Sequence, residues 1–405
     1  MEGHPRRSRT SFERPAEFVS IPLDRRRFLV MLGGAAACAA LSPGLAWAER
    51  LARHPSLQPW TLPETLPTGP IEAARALIGA AILAPSYWNA QPWRFEVDAT
   101  EMRLTLDPSR TLPGSDPDQR FAQISLGASL ENLLVAARAW GQRPAVTYLP
   151  WGRTPRAGSP LVVANITWES ADQRRDVALF EAITRRRSNP HHFDGRAITL
   201  QHRAQLLAQI PDELNLRWLE DRAEIRNLGT LVHDATEACA RTPRVRAERA
   251  HWMRDGEGEA RRHGDGVTPE GLGLTGPLGW LAARTLGPRG RAWAWGSGSI
   301  AHEAADAVRS SGALALLTAP HRQDATFLLA GQAYERFALK ATSLGLAQQP
   351  LSAPIESERY RALIAKRFGA APGEEPLLLV RLGHARPAEA TPRRAVALVS
   401  TWRAS

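Results

Sequence analysis

The chain has 405 residues, 43% of them hydrophobic, enough for a sizeable core in two domains or in one duplicated one. Its 51 Lys and Arg against 41 Asp and Glu give a net charge of +10, yet Lys340 and Lys366 are the only lysines and the arginines are scattered among acidic residues. With no basic run interleaved with aromatics, the charge does not mark a nucleic-acid face.

Asp24-Arg25-Arg26-Arg27-Phe28-Leu29 precedes the apolar run "FLVMLGGAAACAAL" and a small-x-small site at Ala46-Trp47-Ala48. That order is the layout of an export signal, and the arginines resemble a twin-arginine signal, with Asp24 where Ser or Thr is usual. The expectation is a signal over 1–48, carriage of the folded chain by the twin-arginine translocase to the periplasm or cell envelope, and cleavage after Ala48. The apolar run is shorter than the roughly 20 residues a spanning helix needs, so no stable membrane span is expected in the mature chain. Of the two cysteines, Cys38 lies within the signal, where a lipid anchor is the alternative reading. Cys239 alone remains, which rules out an internal disulfide in the mature chain.

Residues 49–69 are Pro-rich and read as an extended linker. Residues 71–83 are rich in helix formers and stop at Pro85. "RFEV" and "MRLTLD" alternate as a hairpin, "ISLGASLENLLVAARAWG" has the spacing of a buried helix face, and "AVTYL" and "PLVVANITW" read as strands. A second phase begins with the helical "ADQRRDVALFEAITRRRS". It continues through the strand "LNLRWLE", the helix "AEIRNLGTLVHDATEACA", the strand "GALALLT", the long helix "ATFLLAGQAYERFALKATSLG", the helix "YRALIAKRFG" and the strand "EPLLLVRLG". Residues 246–299 are Gly-rich and carry Trp280, Trp293 and Trp295. They form too long a stretch for a bare surface loop and are expected to be a partly helical lid, with "GSGS" at 296–299 as a hinge or helix cap.

"GASLENLLVAARAWG" from Gly127 and "GQAYERFALKATSLG" from Gly331 repeat a Gly-to-Gly frame with an internal Glu, at Glu131 and Glu335. An α+β unit duplicated within one chain follows: one half over 70–170, the other over 171–405 with the lid inside it, and a ligand cleft between the halves.

Two stretches carry the chemistry. "RRRSNPHHF" clusters Arg185, Arg186 and Arg187 beside Ser188 where a helix ends, a set suited to a phosphate or to a solvated helix terminus. "APSYWNAQPWRF" (84–95) crowds amides, prolines and aromatic rings into one turn. No Cys/His spacing suggests a metal site, and no Gly-rich nucleotide signature or Ser-centred nucleophile motif is present.

The second stretch resembles the "PSxxNxQPWxF" motif of nitroreductase-type flavoproteins at Pro85, Ser86, Asn89, Gln91, Pro92, Trp93 and Phe95. Arg186-Arg187-Ser188 resembles the family's phosphate-binding "RRS", "GLAQQPL" (345–351) its segment under the flavin ring, and Arg393-Arg394 its C-terminal phosphate contact. The resemblance covers most of the mature chain and is nearest to the duplicated, single-chain, Acg-like branch. It departs at Pro190, where a further basic residue is common, and at Ser352-Ala353, which replace Glu-Gly.

What the resemblance implies is a nitroreductase-like α+β fold duplicated as a pseudo-dimer, with one composite FMN site. Arg186, Arg187, Ser188 and Arg393 or Arg394 would hold the phosphate. Pro85, Ser86 and Asn89 would meet the ring edge from the opposite half, and Pro350-Leu351 would face N5. Trp93 and Phe95 are expected to anchor the loop in the core. The implied activity is hydride transfer to a nitro, quinone or similar small-molecule acceptor, from a nicotinamide donor if the chain acts in the cytoplasm, with no side-chain acid or base. The alternatives are a flavin-sequestering protein with little turnover and a duplicated chain that has lost the flavin.

Overall fold

The computed structural model describes residues 60–98, 101–152, 160–274 and 293–403, with 293–297 as backbone only. The expected export signal, Cys38, residues 49–59 of the linker and residues 275–292 of the lid lie outside the described residues.

Helix α1 (Pro70–Ala81) begins with proline at its first position, where the missing N–H removes no helical bond. Strands β1 (Trp93–Val97) and β2 (Met102–Leu106) pair antiparallel with Trp93 opposite Leu106. Period-two alternation sends Trp93, Phe95 and Val97 inward, as expected for residues that anchor the preceding loop. Helix α2 (Arg120–Ala139) is buried on nearly every side, which its apolar and small residues permit. Strands β3 (Gln142–Tyr148) and β4 (Val162–Ser170) follow.

The second phase opens with the short helices α3 (Val177–Ile183) and α4 (Leu200–Leu207), then β5 (Asn215–Leu219) and α5 (Arg222–Arg241). The stretch expected as a lid, 246–299, overlaps α6 (Pro243–Trp252), contains α7 (Glu257–His263) and overlaps the start of α8 (Trp293–Arg309). The "GSGS" segment lies inside α8 rather than at a hinge or cap; the helix runs through its glycines. The chain continues through β6 (Ala313–Ala319), α9 (Thr326–Ser343), β7 (Ala347–Leu351), α10 (Glu358–Arg367), β8 (Glu375–Gly383) and β9 (Ser400–Trp402). No helix among the described residues is long and apolar enough to cross a membrane.

Two sheets result, β3-β4-β2-β1-β9 and β5-β6-β8-β7. Strand β9, from the end of the chain, lies parallel to β1 with Phe95 opposite Ser400. Sheet membership therefore crosses the boundary expected at residue 170.

The α+β duplication shows in the contact between α2 and α9. A Cβ on Gly127 would lie 2.1 Å from the Leu328 carbonyl oxygen, and one on Gly331 would lie 2.0 Å from that of Ile124. Both pairs map onto each other at the same offset that relates the two sequences, which is the reciprocity of a two-fold contact. The cores share it too: Ile124 of α2 joins the core of the second sheet, and Leu328 of α9 joins that of the first.

Candidate functional site

The loop that follows α1 has an unusual backbone. Trp88, Asn89 and Gln91 have φ of 52°, 50° and 54°. Asn tolerates this left-handed region; Trp and Gln adopt it only when surroundings impose it. The imposing contacts are side-chain amides. Asn89 Nδ2 donates to the carbonyl oxygens of Gly266 (3.1 Å) and Pro392 (3.2 Å), and Gln91 Nε2 donates to that of Gly264 (2.7 Å). Gln91 Oε1 accepts from the Arg394 N–H at 2.9 Å. Ser86 Oγ accepts from the Gln91 N–H, closing the turn that Pro85 opens.

Against this loop stand three arginines from elsewhere. Arg393 is buried and donates to Asn89 Oδ1 (3.1 Å), to Thr391 Oγ1 (2.6 Å) and to the carbonyl oxygens of Leu83 and Ala84. Arg186 is buried, with Nη2 on the Leu83 carbonyl at 2.9 Å. Arg187 stacks its guanidinium 3.9 Å from the Trp60 ring centre, and Arg393 lies 5.0 Å from the same ring. Burial and the charges of Arg186 and Arg187 push the Arg393 pKa well down. Burial and Arg186 bring Arg187 down to about 10.

The carboxylate among them is Glu335. Its Oε1 lies 3.2 Å from Arg186 Nε, both side chains essentially inaccessible, but the two are not aligned as a hydrogen bond. Burial raises the Glu335 pKa to about 7 against the pull of Arg186 and Arg393. The Nε atoms of Arg186 and Arg393 and Nη1 of Arg186 are buried without a hydrogen-bond partner. Two buried cations with orphaned donors, the half-buried Arg187 beside them and one poorly aligned carboxylate are incompletely neutralised, and such donors suit an anion.

A short strap joins this cluster to a cavity. Ser188 bridges to Gln348, and the Asn189 N–H donates to the Gln348 carbonyl at 2.9 Å. Pro190 then lines a cavity of about 160 Å³, together with Trp88 and residues 349–354. Helices α5, α6 and α8 supply the opposite wall, including Thr236, Arg249 and Ala304. The volume is below the roughly 300 Å³ at the lower end of ligand pockets, so a large flat ring enters only if this wall moves outward.

Helix α6 and the residues after it are fastened down on both sides. Arg249 forms a buried ion pair with Glu356 at 2.8 Å, and Glu356 Oε1 accepts from Tyr87 Oη at 2.7 Å and Ser352 Oγ at 3.1 Å. Asp265 pairs with Arg110 and Arg254. Glu248 accepts from the Ser115 N–H at 2.9 Å.

No protein-family model matches the chain. It is similar to a Mycobacterium tuberculosis protein (strain H37Rv) provisionally named NAD(P)H nitroreductase Rv3131, at 28% identity over 82% of this chain and 92% of that protein. It is also similar to one from the same strain provisionally named NAD(P)H nitroreductase acg, at 32% identity over 27% of this chain and 31% of that protein. These relatives support a nitroreductase-like family. Among solved structures, the FMN- and NADPH-dependent nitroreductase NfnB from Sphigopyxis sp. strain HMH aligns with TM-score 0.37 and 18% identity, over 56% of this chain and 99% of that one.

The fold brings Arg186, Arg187, Arg393 and Asn89 into one cluster, sets Ser188 beside it, and puts Pro350 and Leu351 on the cavity. Arg394 is not brought in: its Nη2 turns to the Leu398 carbonyl, and the charges beside it are Arg110, Asp107, Arg94 and Asp265. Adjacent residues on an extended segment point to opposite sides, so only one of the pair reaches the cluster. Sequence reasoning missed Trp60, placed in the linker, and the Tyr87–Glu356–Arg249 group. A tryptophan in a Pro-rich stretch was the available signal for the first; the second joins residues far apart in sequence and had none.

Proposed function

We propose that the chain is an FMN-dependent oxidoreductase of the nitroreductase type. The observation that carries this is the cluster of buried Arg186 and Arg393, with orphaned donors, and half-buried Arg187, with a strap leading to the cavity. Arg186, Arg187, Arg393 and Ser188 would hold the phosphate, Trp60 would keep two guanidiniums in place, and Asn89 would orient Arg393 from the other half. Pro85, Ser86 and the Pro350-Leu351 segment would flank the ring. The chemistry that FMN supplies when bound is two-electron exchange at flavin N5, from a reduced nicotinamide to a nitro, quinone or similar acceptor. The chain's own part is to bind, to orient and to keep water out beneath the lid. The relatives' names support the reading.

The test is absorbance. The purified chain mixed with FMN and desalted is expected to keep a flavin spectrum, and anaerobic NADH or NADPH is expected to bleach it. Arg186→Met with Arg393→Met is expected to lower occupancy at least tenfold, whereas Arg394→Ala leaves it unchanged. A colourless wild-type chain after FMN addition overturns the reading. Retained colour without bleaching makes the chain a flavin-sequestering protein. We also propose export by the twin-arginine route; Arg25→Lys with Arg26→Lys should leave the chain in the cytoplasm with residues 1–48 attached.

A further inference from the structure

The two-fold relation between α2 and α9 implies a second position equivalent to the arginine cluster. In the first, residues 82–85 follow α1, and the carbonyls of Leu83 and Ala84 receive Arg186 and Arg393 beside Glu335. In the second, residues 208–211 follow α4 in the same way and end in Pro211, and Glu131 stands where Glu335 stands. No counterpart of Arg186 or Arg393 fills that position. Instead there is an open cavity of about 490 Å³, walled by residues 208–211, Glu131, Leu329 and Ala333.

Other arginines have reached this cavity. Arg336, the counterpart of Asn132, pairs with both Glu131 and Asp176 at 3.0 Å. Arg138 reaches the same two carboxylates through Nη1 only, at 3.4 and 3.3 Å. Its side chain is about a third exposed. Arg175 is exposed at the rim; its one hydrogen bond among the described residues runs from its backbone N–H to the Arg138 carbonyl. Three guanidiniums against two carboxylates leave one positive charge. Arg138 and Arg175 line the cavity together with the polar Tyr148, Gln209 and Gln332 and the apolar Ile210, Pro211, Leu329 and Ala333.

We propose that this cavity binds a small organic anion, with one phosphate or carboxylate held by Arg138 and Arg175 and an apolar body against Ile210, Pro211, Leu329 and Ala333. The cavity lies within the usual volume range for small-molecule sites, and paired guanidinium forks are the side chains that best match either oxyanion. This does not rest on flavin binding at the other position.

The experiment is calorimetric titration of the full chain, with and without saturating FMN, using phenyl phosphate, benzoate and inorganic phosphate as probes. Saturable binding of phenyl phosphate or benzoate is expected, and weaker binding of inorganic phosphate, which lacks the apolar body. Arg138→Met with Arg175→Met is expected to weaken it roughly tenfold or more, the range of a lost charge-assisted pair. Arg175→Met alone, at an exposed side chain that the fold does not need, should weaken it roughly two- to fivefold. Arg186→Met with Arg393→Met should leave it unchanged. No saturable binding to the wild-type chain, or equal binding by the Arg138/Arg175 variant, overturns the proposal. So does loss only in the Arg186/Arg393 variant, which puts the anion in the other cluster.

Discussion

The close contact between α2 and α9 makes a sharp prediction for Gly331→Ala. A methyl group there would lie 2.0 Å from the Ile124 carbonyl oxygen and 2.9 Å from the Ala128 nitrogen, all of them backbone atoms that cannot rotate aside. Ordinary carbon–oxygen contact needs about 3.3 Å, so the helices must part by more than 1 Å along their most buried faces, and overpacking of this kind costs about 1–3 kcal/mol or more. Helix propensity acts the other way by about 1 kcal/mol. With the overlap at the severe end of that range, we expect a net loss of about 2 kcal/mol, and the same loss for Gly127→Ala, whose methyl would meet the Leu328 carbonyl at 2.1 Å. Gly79→Ala is the control: its methyl meets only a Leu62 side-chain carbon at 3.9 Å, so it should be neutral or stabilise by up to about 1 kcal/mol. Urea unfolding of the three variants measures this. If Gly331→Ala and Gly127→Ala match Gly79→Ala, the close packing is wrong. If they differ from each other by more than about 1 kcal/mol, the two-fold reading of the contact is wrong.

Two further predictions concern buried charge. Glu335 has its pKa raised by burial to about 7, so the folded flavin-free chain favours the protonated form. The stability this gives is complete below the ordinary carboxyl range and is lost as pH rises to about 7, and Glu335→Gln should flatten that decline in a series of melts from pH 4.5 to 8; an unchanged pH profile would sink the assignment. Glu356→Gln leaves Arg249 buried without its counter-charge, and breaking such a pair costs about 3–5 kcal/mol. The variant should melt several degrees lower and let protease into the lid; a loss under about 1 kcal/mol would mean that the pair does not fasten it.

Much of the fold was legible because its elements are long and periodic. Strand β8 is a run of apolar residues between turn signals, and α2 and α9 repeat each other closely enough to show the duplication before any coordinate. Strand β9 was not legible: three residues, Ser400 to Trp402, have no period, and their place beside β1 depends on a partner three hundred residues away. The site divides similarly. Arg186 and Arg187 stand out as a cluster on the chain, and Asn89 in a dense motif. The choice between Arg393 and Arg394 depends on which way an extended segment faces. Glu335 was visible only as part of a repeat, because nothing in a sequence shows that a carboxylate will be buried beside Arg186. The Arg249–Glu356 pair was hidden for the same reason, since burial and proximity are both tertiary facts.

The parallel pairing of β9 with β1 sets an order on maturation. Phe95 emerges from the ribosome about three hundred residues before its neighbour Ser400, and Arg393, which locks onto Asn89, is made only a few residues before Ser400. Neither the edge of the first sheet nor the arginine cluster can close until residues 393–402 have been made, so a product cut short of them exposes an unpaired strand and lacks one of its three clustered cations. This segment works as a late seal: its docking reports that all the residues between it and β1 have been made.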